Sequence, residues 1–249
     1  YFENHDSPRA TQVWSERYTQ VLTDDLSLAR TWRRRSAGVS PALKMAALKN
    51  LQATLINATA GMWPAAAAGH VGVTRVEPSG GTQLAWGIEW GSEWGEASRT
   101  DFENDTCLHP EARDTSPGKT LVRAYEALAE VADEWTEARL GQVYYHRNLD
   151  AGGDAEDRVL AYTRYLDKSA LLAVHNLDIN RTRWVTISFD WLSWLPGRPD
   201  LVFDTYQALG LAVALADPDF TRQGLRVGVA PLQTRLFRLT AGAPLPRKE

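Results

Sequence analysis

The stretch that decides the fold is YFENHDSPR, residues 1–9. It runs from the aromatic pair Tyr1 and Phe2 into adjacent amide, imidazole, carboxylate and guanidinium groups. A strand that ends in several reactive side chains is typical of a βα barrel, which keeps its chemistry at the C-terminal ends of its strands. Ser7 and Pro8 then form a helix-start signal, because the hydroxyl caps a free amide and proline has no amide to lose. We therefore predict a strand, a polar turn and a helix here.

Two further Ser-Pro pairs precede the clearest helical patterns, which cover residues 41–59 and residues 117–140. In both, apolar residues recur at intervals of three and four, which indicates an amphipathic helix. Gly141 ends the second helix. The apolar stripes consist of Leu43, Ala47, Leu48, Leu51, Leu55 and Ile56 in the first helix and of Leu121, Tyr125, Leu128, Val131 and Trp135 in the second. Each helix therefore has one face to bury.

The segment between these helices has two parts. Residues 61–68 are short, apolar and bounded by glycines, which favours a buried strand, although four consecutive alanines leave a helix open. Residues 69–115 are rich in glycine and polar side chains and far exceed the usual length of a connection. A connection this long is usually functional or disordered.

After Gly141 the pattern changes from helical spacing to alternation. The predicted strands are residues 142–147, 158–166, 170–177, 183–189, 225–229 and 233–240. Short alternating strands separated by Gly, Pro, Asp and Asn clusters predict an antiparallel sandwich. We therefore place a domain boundary near Leu140.

Residues 1–9 resemble the end of the seventh barrel strand in the α-amylase superfamily, which is similar to Glu/Asp-Asn-His-Asp-x-Pro-Arg. The resemblance implies an α/β plus all-β architecture. Residues 1–140 would supply strands 7 and 8 of a (β/α)8 barrel with the helices that follow them, and residues 141–249 would form the C-terminal β-sandwich. It also implies that the chain is a C-terminal piece of a longer enzyme, because the nucleophilic aspartate and the acid/base glutamate lie on earlier strands.

The resemblance further implies a retaining glycoside hydrolase or transglycosidase that acts on α-linked glucans or maltooligosaccharides, and which is inactive as this piece alone. Asp6 would be the catalytic carboxylate that stabilises the transition state through the sugar hydroxyls. His5, Arg9 and Asn4 would bind substrate. The alternative is a purely structural role, in which this Asn-His-Asp turn caps the helix that begins at Ser7.

Tryptophans form two further groups of interest. Trp86, Trp90 and Trp94 belong to a WGxE repeat in the long connection. Trp86 and Trp90 are candidate sugar-binding residues because indole faces bind sugar rings, although packing on one helical face is favoured. In the predicted sandwich, Trp184, Trp191 and Trp194 could form a glycan-binding surface, but core packing is again favoured.

Composition excludes several classes of function. The net charge of −4 argues against a nucleic-acid or anionic-membrane partner. A hydrophobic content of 44% with 23% charged residues indicates a folded protein, and the longest apolar runs, such as residues 209–216, cannot cross a bilayer. The single cysteine, Cys107, excludes an internal disulfide and slightly favours a reducing, cytoplasmic compartment.

No cofactor is expected, because the sequence has no P-loop or dinucleotide fingerprint and its scattered histidines lack zinc-like spacing. The resemblance leaves room for calcium in the upstream part of the barrel. Two other functional hypotheses remain open: a non-catalytic glucan-binding or degenerate scaffold protein, and an unrelated structural protein. The upstream strands discriminate between the first of these and an enzyme.

Overall fold

The computed structural model describes residues 41–60, 74–76, 82–84, 116–134, 142–148, 155–194, 196–211, 213, 215–221 and 223–242. The strand and turn predicted for residues 1–9 lie outside these residues, as does the strand predicted for residues 61–68.

Two long helices form as the sequence predicts. Helix α1 spans Pro41–Ala60 and helix α2 spans Ser116–Glu134, while the last residues of the second predicted helix lie outside the described part of the chain. The apolar stripes are buried at Leu51, Leu55 and Leu128. A short third helix, α3 (Thr205–Ala208), escapes a search by periodicity because it is only one turn long.

The long connection contains a small hairpin that the sequence did not predict. Strand β1 (Thr74–Val76) pairs antiparallel with strand β2 (Thr82–Leu84), with Arg75 opposite Gln83. Three residues per strand are too few for alternation to stand out from a polar loop.

The remaining strands form two antiparallel sheets. They are β3 (Gln142–Tyr145), β4 (Val159–Leu166), β5 (Ser169–Asn176), β6 (Arg183–Ile187), β7 (Asp200–Asp204), β8 (Asp219–Thr221), β9 (Gly224–Val229) and β10 (Thr234–Thr240). The larger sheet has the order β3-β4-β5-β10-β7, and the smaller one has the order β6-β9-β8. All six predicted strands are present within two residues at each end, whereas β7 and β8 were missed.

The two sheets pack face to face over one apolar core. Inward-facing residues of the larger sheet, such as Leu172 and Phe237, contact Val185, Ile187 and Val227 of the smaller one. Each fully buried residue of this size contributes about 1.5–3 kcal/mol relative to exposure. An antiparallel sandwich is therefore present, as the alternating pattern predicts.

A second core lies on the opposite face of the larger sheet, where α1 and α2 pack. Leu55 of α1 and Leu128 of α2 belong to one buried cluster with Tyr162, Leu171 and Leu236 of the sheet. Strand β5 is consequently buried on both faces over almost its whole length. The described body thus has three layers, which are helices, a five-stranded sheet and a three-stranded sheet.

Candidate functional site

The residues predicted to carry the chemistry lie outside the described residues. They are Asn4, His5, Asp6, Arg9, Trp86 and Trp90. Their roles therefore remain predictions. The described body contains three polar or aromatic clusters that could have a functional or a structural role. The sequence did not predict any of them as a unit.

The first cluster is a buried chain of hydrogen bonds between α1 and the larger sheet. The Thr59 hydroxyl donates to the Leu55 carbonyl at 2.6 Å, so the Tyr162 hydroxyl must donate to Thr59 Oγ1. His175 Nε2, which lies 3.0 Å from the Tyr162 oxygen, then donates to it. Thr234 Oγ1, at 2.8 Å from His175 Nδ1, completes the chain as a donor. These contacts fix His175 as the neutral Nε2–H tautomer.

The electrostatics of this interface favour neutral groups. Burial, with a smaller effect of Lys49, lowers the pKa of His175 to about 3, and burial raises the pKa of the Tyr162 hydroxyl above its usual range. Burial also lowers the pKa of Lys49 to about 8; its Nζ donates to Gln52 Oε1 at 2.7 Å. Gln52 in turn donates to the Asn176 carbonyl at 2.8 Å. At neutral pH the histidine and the tyrosine are both uncharged and buried. The cluster therefore has a structural role, which is to fix the position of α1 on the sheet.

The second cluster is an ion network around Asp178, in the turn after β5. Arg183 donates through Nε and Nη2 to Asp178 Oδ2 and through Nη1 to Glu156 Oε2 at 3.0 Å. Burial raises the pKa of Asp178, but hydrogen bonds from Arg183 and from the amides of Asn180 and Arg181 outweigh it and hold the pKa below the usual range. A carboxylate held ionised in this way is suited to pinning a turn rather than to proton transfer.

The third cluster lies where the edge strand β3 meets the loop after β6. We name it the aromatic edge cluster, and it consists of Tyr144, His146, Tyr165, Phe189 and Trp191. The rings of Tyr144 and Trp191 stack with centroids 4.1 Å apart and an interplanar angle of 12°. Burial lowers the pKa of His146 to about 4, against a smaller opposing effect of its hydrogen bond with the Ser188 backbone. The cluster is therefore aromatic and uncharged at neutral pH.

The three sandwich tryptophans have three different environments, so the prediction that they fill the core is only partly right. Trp194 packs against the core between the sheets, and its Nε1 donates to the Asp167 carbonyl at 2.9 Å. Trp191 belongs instead to the aromatic edge cluster. Trp184 lies across the backbone of Gly228, because it alternates with the inward-facing Val185 and so points to the outer face.

Within the described part of the chain, no three His, Cys, Asp or Glu residues are grouped so that they could hold a metal ion. Among the described helices, none is both long and apolar enough to cross a membrane.

Comparison with known proteins finds solved structures of similar fold and no sequence relative. No protein-family model matches the sequence, and no curated protein matches it either. The debranching enzyme of Nostoc punctiforme matches with a TM-score of 0.51 and 11% identity, over 76% of this chain and 31% of that one. Isomaltulose synthase of a Klebsiella species gives a TM-score of 0.43 with 14% identity, over 77% and 38% of the two chains. The α-amylase of H. orenii gives 0.36 with 20% identity, over 55% and 23%.

These solved structures are α-amylase family enzymes. The likeness to the debranching enzyme is one of fold, since its sequence identity is only 11%. That likeness of fold agrees with the resemblance of residues 1–9 and extends no further. The chain spans 31% of the length of the debranching enzyme, 38% of that of isomaltulose synthase and 23% of that of the α-amylase.

Proposed function

We propose that the chain is the C-terminal part of a retaining glycoside hydrolase or transglycosidase that acts on α-linked glucans or oligosaccharides. The observation that carries the proposal is the order of features along the chain. The motif of residues 4–9 precedes a body of helices and antiparallel sheets whose fold resembles that of a debranching enzyme of this superfamily.

In the proposed reaction, Asp6 stabilises the transition state. Cleavage of a glycosidic bond passes through an oxocarbenium-like state, which one carboxylate attacks while another carboxyl group protonates the leaving oxygen. A third carboxylate accepts hydrogen bonds from the sugar hydroxyls. These hydrogen bonds become stronger as positive charge develops on the ring. Asp6 has this third role, and His5, Arg9 and Asn4 hold the same sugar or orient the carboxylates. Trp86 and Trp90 are proposed as further sugar contacts in the long connection.

The described body has a bracing role in this proposal. Helix α1 follows the motif along the chain and is held to the sheet by hydrogen bonds at two positions, at Gln52 near its middle and at Thr59 near its C-terminus. A helix that is held by hydrogen bonds as well as by apolar packing has one favoured position on the sheet. The sandwich would thereby limit movement of the barrel element that carries Asp6.

Substitution of Asp6→Asn in the full-length enzyme tests the proposal. Asparagine keeps the size and the polarity but loses the charge, so kcat on maltoheptaose should fall by about a hundredfold or more. Asp157→Asn, which removes an exposed carboxylate from the loop before β4, is the matched control and should leave kcat unchanged. Near-normal turnover of a folded Asp6→Asn enzyme would refute the catalytic role.

The isolated 249-residue chain should release no sugar from maltoheptaose, since the proposal assigns the nucleophile and the acid/base to strands upstream of Tyr1. An upstream barrel that lacks those two carboxylates would favour the non-catalytic, glucan-binding alternative instead.

A further inference from the structure

The aromatic edge cluster presents one ring to solvent. Tyr144 is 39% exposed although one of its ring faces is covered by Trp191 at 4.1 Å. His146 makes a T-shaped contact with the same ring, with centroids 5.3 Å apart, so the exposed area is the part of the ring that Trp191 and His146 leave uncovered. Tyr144 lies on β3, which is at one edge of the five-stranded sheet, so that the ring is approachable from the side of the sandwich.

The ring is held in place before any ligand arrives. Trp191, which supports it, is itself contacted by Tyr165, with centroids 5.0 Å apart and planes inclined at 60°. The loop that carries Trp191 is closed by the bond from the Leu192 amide to the Phe189 carbonyl at 2.9 Å. Three residues further on, Trp194 ties the same loop to Asp167 of the β4–β5 turn. A platform that is already ordered loses little conformational entropy when a ligand binds.

The surroundings of the ring are polar and mostly uncharged. Gln142 precedes Tyr144 by two residues on the same face of β3 and is exposed. Its Oε1 accepts from the Tyr165 hydroxyl at 2.7 Å, which leaves its amide group oriented and able to donate. On the loop side, Ser193 is exposed as well, and Asp190 is the one exposed carboxylate of that loop.

An exposed aromatic face with amide and hydroxyl groups at its rim fits the chemistry of a sugar. A pyranose ring presents a C–H face, which packs on an aromatic ring, and equatorial hydroxyls, which take hydrogen bonds at its edge. A nucleic acid would instead require a cluster of cations, and the cluster contains none at neutral pH.

We propose that the Tyr144–Trp191 stack is a glucan-binding platform, at which the exposed face of Tyr144 packs against a glucose ring of an α-linked polymer while Gln142 binds its hydroxyls. The identity of the sugar rests on the proposed function. The platform would hold a long glucan on the sandwich, so it should matter for polymers more than for short oligosaccharides.

Affinity electrophoresis in gels that contain amylopectin or glycogen tests the platform. The full-length protein should be made in an Asp6→Asn background, so that the polymer is not degraded during the run. Tyr144→Ala should weaken binding to the polymer by about tenfold, the effect of losing one well-formed aromatic contact. The matched control is Tyr145→Ala, since Tyr145 is the next residue, is 52% exposed and points to the other face of β3.

Further variants separate binding from folding. Tyr144→Leu keeps an apolar side chain against Trp191 but removes the aromatic face, so it should lose affinity as Tyr144→Ala does. Trp191→Phe keeps a stacked ring and should retain affinity, since Trp191 Nε1 has no hydrogen-bond partner among the described residues. Near-ultraviolet circular dichroism checks that each variant is folded.

The outcomes distinguish the platform from the proposed function. Loss of retention in both Tyr144 variants, with retention intact in Tyr145→Ala and Trp191→Phe, supports the platform. Equal retention of the parent protein and the folded Tyr144→Leu variant, or equal loss in Tyr145→Ala, overturns it. If the enzyme with its native Asp6 hydrolyses maltoheptaose while no variant changes retention, the platform fails and the function stands. If the native enzyme neither hydrolyses maltoheptaose nor binds polymer, both fail.

Discussion

Acidification from pH 7 to pH 5 should destabilise the protein, and His175 should account for a defined share of the loss. Its pKa in the folded state is about 3, against 6.5 for an unperturbed histidine. The unfolded chain therefore binds a proton in this range that the folded protein does not, so falling pH favours unfolding. Stability is lost as the pH drops below about 6.5, and the loss continues until the pH reaches the folded pKa.

The magnitude follows from proton linkage. Protonation of His175 in the unfolded chain alone lowers the free energy of unfolding by about 2 kcal/mol between pH 7 and pH 5. The folded state is almost unprotonated at His175 at pH 5. His146, with a folded pKa of about 4, should contribute nearly the same amount.

Urea unfolding at pH 7, 6 and 5, followed by tryptophan fluorescence, measures the effect. His175→Gln removes the titration while keeping a polar side chain. The pH dependence of its free energy of unfolding should therefore be smaller by about 2 kcal/mol over the interval. The control is Tyr162→Phe, which breaks the same chain of hydrogen bonds but retains the histidine. It should lower stability at every pH by about 1–3 kcal/mol and keep the pH dependence of the wild type. A pH dependence in His175→Gln equal to that of the wild type would refute the assignment.

Two further substitutions examine the sandwich. Gly228→Ala should lower the free energy of unfolding by about 1–3 kcal/mol, because the new Cβ would lie 2.9 Å from the Trp184 ring. In a double-mutant cycle this loss should largely vanish in a Trp184→Ala background. An unchanged loss in that background would exclude the clash. Asp178→Asn should cost about 3 kcal/mol at pH 7, because it leaves Arg183 without its main partner. Since the folded pKa of Asp178 is lowered, its stabilisation is present above the unfolded pKa and is lost as the pH falls through the folded value. The difference between the wild type and Asp178→Asn should therefore close in acid, and urea titrations at pH 7 and pH 3 would reveal a constant difference if the ion pair were irrelevant.

Local patterns explain which parts of the fold the sequence predicts. Helices α1 and α2 are long, follow Ser-Pro pairs and carry regular apolar stripes, and strands such as β4 and β5 are long enough for their composition to be recognised. Strand β8 has three residues, and β7 has an aspartate at each end, so both look like turns. The sequence therefore predicts long elements whose apolar pattern differs clearly from that of their neighbours, and it fails for short strands with polar ends.

The clusters could not be predicted because they join residues that are distant in sequence. Thr59 and Tyr162 are 103 residues apart, and Gln52 and Asn176 are 124 apart. The sequence does show each of these polar residues at a position that packing would bury, but not which partner satisfies it. For the candidate catalytic residues the sequence is more informative than the structure. The motif at residues 4–9 identifies them, and the described residues begin at residue 41.

The position of the five-stranded sheet between two cores makes it a shared component of both. Tyr162 and Leu171 face the helices, while Ala161 and Leu172 on the same strands face the smaller sheet. Removal of α1 and α2 would therefore expose the apolar face of the sheet that contains Leu171 and Leu236 to water, which is unfavourable. Helices and sandwich should accordingly melt in one transition, so the position where the chain changes from helical to strand pattern is a poor place to divide the protein for expression.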